Sequence, residues 1–342
     1  YGSALTFSDW IRLAQWWAQV RSVLAESDSV DAELRDRAWQ EWESLDATFG
    51  PWLQANLGSM MLSSGAWPVT VDKVAGVLAR RLRQGDAGRV LLLVLDGLGI
   101  HNWQSLRRFL PVCGVETQGV FAMVPTLTPV SRQALFAGQL PYTFGKDIRA
   151  TNLDEKRWQE FWKREGLSGQ AVTFFHASGA TLAELPVFTD LPEARAVGIV
   201  VMAVDEVLHS AQLMGDRQVA VSLEAWARGG FLQSLVESAL SAGFEVWITS
   251  DHGNLEALPL GKVYEGLAVE SAGLRVRWYA NAVLREAARA DGIMWDPPGL
   301  PEGECYPLFA RGRGGYFGVG TRVTHGGLSI DELVVPLVRL WR

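Results

Sequence analysis

Two cysteines, Cys113 and Cys305, are too few and too far apart for a disulfide framework or a CxxC metal pair. A reducing cytoplasm is the simpler expectation. Long apolar runs are missing too. The longest, "VLLLVL" (90–95) and "AVGIVVMAV" (196–204), fall well short of a bilayer span. No membrane association is expected, and no signal peptide is visible. Positive charge is in deficit, with 31 Lys and Arg against 38 Asp and Glu, a net charge of −7. That balance argues against a broad basic surface for gripping duplex DNA. It leaves a phosphorylated substrate open, because bound divalent cations reverse the sign locally. Internal repeats and low-complexity tracts are also absent. The chain starts at Tyr1 rather than Met, and "YGS" reads as a processed or exogenous start, so a piece of a longer protein is expected.

What is present is ordinary globular composition, 48% hydrophobic and 20% charged over 342 residues. That length suits one large α/β domain with additions, or two domains. The first 65 residues read as helical. "SDWIRLAQWWAQVRSVLA" (8–25) carries apolar residues at i, i+3, i+4 and i+7. "DAELRDRAWQEWESL" (31–45) repeats the pattern, and "PWLQANLGSMML" (51–62) is expected to begin a third helix at its proline. Seven of the fifteen tryptophans lie before residue 68, a stripe better suited to packing than to ligand binding. The expectation is a Trp-rich helical segment over 1–65 that docks on a second unit over 66–342.

In that second unit short, continuously apolar runs alternate with helical segments. The runs are 89–95, 119–124, 171–177, 196–204, 244–250 and 274–280. Runs of this kind are what parallel strands buried on both faces look like. The fold class expected is therefore α/β, a three-layer sandwich around a mainly parallel sheet.

Ligands of such sheets bind beyond the carboxyl ends of the strands. Asp96 follows the first run. "DEVLH" follows the fourth, with Asp205 and His209 four apart. "DHGN" follows the fifth, with Asp251 and His252 side by side. His325 stands before a glycine pair in "THGGLSIDELVVPL". Each alone has an everyday reading as a turn former, surface pair or loop residue. Their coincidence at strand ends, in a chain of only five histidines, gives them weight. Three Asp and three His are enough for two divalent ions, Zn²⁺ first and Mn²⁺ as the alternative. Two-metal sites are a standard device for moving phosphoryl groups.

The second run leads into "VPTLTPVSRQALFAG" (124–138). Pro129 marks a helix start, which makes Thr128 the expected N-cap at the positive end of the helix dipole. Its hydroxyl is the favoured nucleophile, with Thr126 as the rival and Ser131 expected to serve the cap. Arg132 is a candidate for reaching a phosphate oxygen, or a helix-surface charge.

Together, "LLLVLDGLG", the Thr-bearing turn, "DEVLH", "SDHGN" and "THGGLSIDELVVP" resemble the alkaline phosphatase superfamily over roughly residues 66–342. Within it the chain looks most like a PglZ domain. The resemblance implies one metal on Asp205, His209 and His325. It implies a second on Asp96, Asp251 and His252, completed by the Thr128 hydroxyl. It also implies a phosphodiesterase or phosphatase, with nucleic acid or oligonucleotides among its phosphate-ester substrates, working with other proteins of a BREX-type phage-defence system. The rival is a metal-stabilised structural subunit without turnover. The turn resembles the sulfatase signature as well, but threonine cannot give formylglycine. Among the remaining residues, Arg311 and Arg313 are candidates for steering a polyanionic strand, with Tyr316 or Phe317 stacking on a base. A flexible loop with solvated arginines is the blander expectation. His101 is expected in an ordinary loop, and His176 in the core.

Overall fold

The computed structural model describes residues 5–26, 31–210, 213, 215–261 and 273–342. The helices are α1 (Phe7–Glu26), α2 (Ala32–Leu62), α3 (Val74–Gln84), α4 (Ile100–Leu106), α5 (Thr128–Ala137), α6 (Asp154–Arg164), α7 (Ala203–Ser210), α8 (Gly215–Arg228), α9 (Phe231–Ser241), α10 (Ala282–Ala287) and α11 (Ile330–Leu333). The central strands are β1 (Arg89–Leu95), β2 (Gly114–Phe121), β3 (Val172–Ala177), β4 (Ala196–Val201) and β5 (Phe244–Thr249). After them come β6 (Leu255–Pro259), β7 (Val276–Tyr279), β8 (Ile293–Met294), β9 (Tyr306–Phe309), β10 (Gly314–Gly315), β11 (Arg322–Thr324) and β12 (Val334–Trp341).

One sheet organises the molecule, in the order β2-β12-β5-β1-β4-β3. Strand β1 runs parallel to β4 and β5, and β3 runs parallel to β4. Strand β12 alone is reversed, antiparallel to both neighbours. Alternation along β1 sends Val90, Leu92 and Val94 into an apolar cluster shared with α1, α2, α3, α5 and α6. It sends Leu91, Leu93 and Leu95 into another, shared with α4, α8 and α9. The result is helices, sheet, helices in three layers, as the apolar runs predict.

The N-terminal helices share the first of these cores. Trp10 packs edge-on against Phe49, and Phe49 in turn stacks on Phe121 of β2. Trp17 stacks on Trp42 with ring centroids 4.9 Å apart. The two helices expected at 31–45 and 51–62 are one, because α2 runs through Pro51. An internal proline costs about 3 kcal/mol. Burial of Phe49, Trp52, Leu53 and Leu57 around it returns roughly 1.5–3 kcal/mol per side chain, which keeps the helix whole.

Two further expectations are corrected. The run at 274–280 supplies β7, but in a small antiparallel sheet, β7-β9-β8, outside the central one. Strand β12 was not expected as a strand, and its Pro336 argues against a central position. The proline is accommodated because pairing with β5 covers Leu337–Leu340 only, leaving Pro336 one residue outside that ladder.

Helices α1 and α2 are tied to the segment that leads into β12. Trp42 Nε1 donates to Asp331 Oδ2 at 2.9 Å, and Arg21 Nη1 to Asp331 Oδ1 at 3.1 Å. The Ile330 N–H donates to Asp46 Oδ1 at 2.7 Å. Burial pushes Asp46 up to about 7, with the Asp331 and Glu332 charges helping and the Ile330 N–H and Arg275 opposing. A carboxyl raised in the folded state adds stability below its unfolded pKa and loses it as pH rises through the folded one. Asp46→Asn is therefore expected to stabilise the protein above pH 7 and leave it unchanged below pH 4. Urea midpoints at the two pH values check this, and equal effects at both would contradict it.

A candidate metal centre at the carboxyl ends of the strands

Asp96 continues directly from β1, and its N–H donates to the Val201 carbonyl at the end of β4. Asp251 and His252 leave β5 beside it. One carboxylate oxygen of each acid is tied down. Asp96 Oδ2 accepts from Arg132 Nη1 at 2.5 Å. Asp251 Oδ1 accepts the Gly97 and His252 N–H groups, both at 3.1 Å. The other oxygens, Asp96 Oδ1 and Asp251 Oδ2, are buried without a hydrogen-bond partner. Uncompensated buried carboxylate oxygens are costly, and a cation is what relieves them. Asp96, Asp251 and His252 offer ligand atoms within 4.8 Å of one another. Two hard oxygens and an imidazole fit a zinc- or manganese-type ion.

The electrostatics agree. Burial, with the Asp96 charge behind it, lifts Asp251 well above the usual carboxylate range. Burial holds His252 below the usual imidazole value, hence neutral, the form that ligates metal. His252 Nδ1 is 2.9 Å from the Gly253 carbonyl, and His325 Nδ1 is 2.9 Å from the Thr126 carbonyl. Such contacts fix the tautomer and direct Nε2 inward on both rings. The two imidazoles stack with centroids 3.9 Å apart.

Asp205 and His209 lie on α7, with His209 Nε2 3.3 Å from Asp205 Oδ2. Burial pulls Asp205 upward, but the hydrogen bond and charge of His209, with His325 and His252 adding to it, carry it below the usual range. Gly97 has φ +73° and marks where the two sets meet. A Cβ there would lie 3.6 Å from His252 Cε1 and 3.8 Å from Asp205 Oδ1. Among the described residues, Asp205, His209 and His325 do not close to the 4.8 Å of the first set.

Helix α5 starts one residue earlier than expected: Leu127 is the cap and Thr128 the first helical residue. Thr128 still stands at the positive end of the helix, its Oγ1 3.1 Å from His252 Nε2. Thr126 is committed elsewhere. Its hydroxyl donates to the Gly327 carbonyl at 3.2 Å and accepts the Gly326 N–H at 3.0 Å. Ser131 does not serve the cap. It donates to the Asp251 carbonyl and accepts the Met123 N–H, pinning the "DHG" turn to the start of α5. Arg132 is buried, not a helix-surface charge.

Other expectations fail. Tyr316 and Phe317 are buried among Tyr279 and Leu308, and Leu255 and Ala257, so neither offers a face to a base. Arg311 is exposed, as the solvated-loop expectation has it, and donates to the Gly292 carbonyl, whereas Arg313 is half-buried and donates to the Glu256 carbonyl and the Glu43 carboxylate. His176 is exposed on the edge strand β3 rather than in the core. His101 is buried at the start of α4 rather than in an ordinary loop.

Four polar residues went unnoticed in the sequence. Ser250 Oγ accepts the Leu98 N–H, and Asn254 Nδ2 donates to the Gly97 carbonyl, both at 2.8 Å. Both bracket "DHG", a signal that was available. Glu332 and Asp154 are the others. Glu332 holds the glycine pair after His325, and Asp154 anchors Arg132. For Asp154, no motif in the sequence marks it.

A mainly parallel sheet between helical layers, with acids and an imidazole gathered where its strands end, is an α/β sandwich with its candidate site at the carboxyl edge of the sheet. The family model of the BREX system PglZ alkaline phosphatase-like domain matches residues 75–340, and the chain belongs to that family. Among solved structures, inactive murine ectonucleotide pyrophosphatase/phosphodiesterase 5 in complex with AMP is similar at 13% identity and a TM-score of 0.50, over 73% of this chain and 87% of that one. Its human counterpart is similar at 13% identity and a TM-score of 0.47, over the same shares of 73% and 87%. Phosphonoacetate hydrolase from Sinorhizobium meliloti 1021 is similar at 12% identity and a TM-score of 0.43, over 73% of this chain and 89% of that one. At 13% identity the murine likeness speaks to the fold alone. No curated protein matches the chain in sequence. Among the described residues, no helix is long and apolar enough to cross a membrane.

Proposed function

We propose that this protein is a metal-dependent phosphodiesterase or phosphatase, with Thr128 as nucleophile, acting in the cytoplasm within a phage-defence assembly. The observation that carries the reading is the pair of half-anchored carboxylates. Asp96 and Asp251 each have one oxygen held and one buried oxygen unmet, beside a neutral His252 and the Thr128 hydroxyl. Asp96, Asp251 and His252 would hold one ion, and Asp205, His209 and His325 a second. Zn²⁺ is the first choice and Mn²⁺ the alternative. Ions so placed lower the pKa of an attacking hydroxyl and neutralise charge on the phosphoryl group.

The chain's own residues do the rest. Thr128 Oγ1 attacks phosphorus in line, its proton passing to solvent, and the ester oxygen leaves on the opposite side as an alcohol, taking a proton from water. Water then hydrolyses the phosphoryl ester on Thr128 and frees the hydroxyl. The murine structural neighbour adds support, since its complex contains AMP and its inactive form is a threonine-to-alanine variant. Nucleotide or oligonucleotide esters are accordingly the substrates to try first.

Protein purified without chelator is expected to carry Zn or Mn by elemental analysis and to hydrolyse bis(p-nitrophenyl) phosphate. Removing the metal should abolish turnover, and adding Zn²⁺ or Mn²⁺ should restore it. Metal-loaded protein that turns over no phosphate ester would leave the structural-subunit reading standing.

A further inference from the structure

The geometry points to Arg132 and Asp154 as a positioning pair that presets Asp96 for its cation, rather than as a substrate-binding group and a bystander. The inference rests on the metal-centre reading above. Arg132 is 4% exposed and Asp154 1%, so the guanidinium is not free in solvent to meet a substrate. Its fork is divided between two acids. Nη1 donates to Asp96 Oδ2, and Nε donates to Asp154 Oδ2 at 2.9 Å. Asp154 is the first residue of α6, and α6 packs along α5, which carries both Arg132 and Thr128. Gln133 reinforces that packing. Its Nε2 reaches the Asp147 and Ala150 carbonyls, and its Oε1 accepts from Arg157 Nε.

The consequence is a fixed carboxylate. Oδ2 is held by the permanently charged guanidinium, which leaves Oδ1 of Asp96 buried without a hydrogen-bond partner. The same cation offsets charge among Asp96, Asp251 and Asp154 while no ion is bound. The arrangement is that of an outer-shell partner, whose loss typically costs about 10- to 100-fold in metal affinity. Arginine suits the task because its planar fork holds two carboxylates at once. A lysine would be a point charge able to satisfy one well.

Two variants separate positioning from charge. Asp154→Ala keeps the Arg132 charge and removes its anchor. Arg132→Lys keeps a charge and removes the fork. Zn²⁺ affinity, measured by competition with a chromogenic chelator, is expected to weaken by at least about 10-fold in both. Cobalt-substituted protein should show an altered d–d spectrum, which a remote loss of stability would not produce. Urea midpoints of the metal-free variants identify any that fail to fold. If one does, the other decides. Wild-type affinity and an unchanged cobalt spectrum in a folded variant would overturn the inference and make the pair a plain buried salt bridge. If the wild-type protein itself binds neither Zn²⁺ nor Co²⁺, the metal-centre reading fails, and this inference with it.

Discussion

Thr128→Ala is expected to lower phosphodiester turnover by at least about 1,000-fold, the scale on which losing a nucleophile registers. Asp96, Asp251 and His252 remain in the variant, so bound metal should survive. That combination separates a nucleophile from a ligand. An alanine at any of the three ligands should remove metal and activity together. Thr128→Ser restores a hydroxyl at the same atom and should recover much of the rate. Thr126→Ala is the control, because its hydroxyl is bonded to the Gly326–Gly327 backbone, not to the imidazole. Full activity in Thr128→Ala would exclude covalent attack by this residue.

The second large effect concerns stability. Glu332 is fully buried and accepts from Arg275 Nε at 2.9 Å, the Gly327 N–H at 2.7 Å, and Ser329 N and Oγ at 3.1 and 2.8 Å. Glu332→Ala leaves the buried Arg275 guanidinium without its carboxylate. Breaking a buried pair from one side typically costs about 3–5 kcal/mol. The loss should appear as a lower urea midpoint at pH 7. Glu332→Gln keeps the acceptor and should fall between. A midpoint within experimental error of wild type for Glu332→Ala would show that Arg275 is sustained by the Gly312 and Gly314 carbonyls alone.

The legible parts of this fold were those written in local pattern. Strands β1 and β4 announce themselves because a strand buried on both faces has few polar positions to interrupt it, and β5 is broken only by Glu245, which Arg81 pairs. Asp96, Asp251 and His252 were readable because each ends such a run. What was not readable depended on distant partners. Pro51 reads as a helix start until its flanking aromatics are seen packed in the core. Pro336 hides a strand until its register against β5 is known. Tyr316 and Phe317, beside glycines and arginines, look solvated and are covered by residues remote in sequence. Asp154 acquires meaning only when α6 lies against α5. Gly253 is of the same kind, since a Cβ there would stand 2.1 Å from the Asp331 carbonyl oxygen, a neighbour no local reading supplies.

The reversed strand β12 also ties two distant parts of the chain together. Within the central sheet β2 pairs with β12 alone, from Gly114 opposite Trp341 to Phe121 opposite Val334. The turn bearing Thr128 follows β2, and the segment bearing His325 precedes β12. Their mutual placement therefore draws on a pairing between segments far apart in sequence, and a pairing that spans so much chain forms slowly. The Asp96, Asp251 and His252 group sits at the ends of β1 and β5, which pair with each other directly, so the long-range pairing bears on how Thr128 and His325 join that group rather than on the group itself.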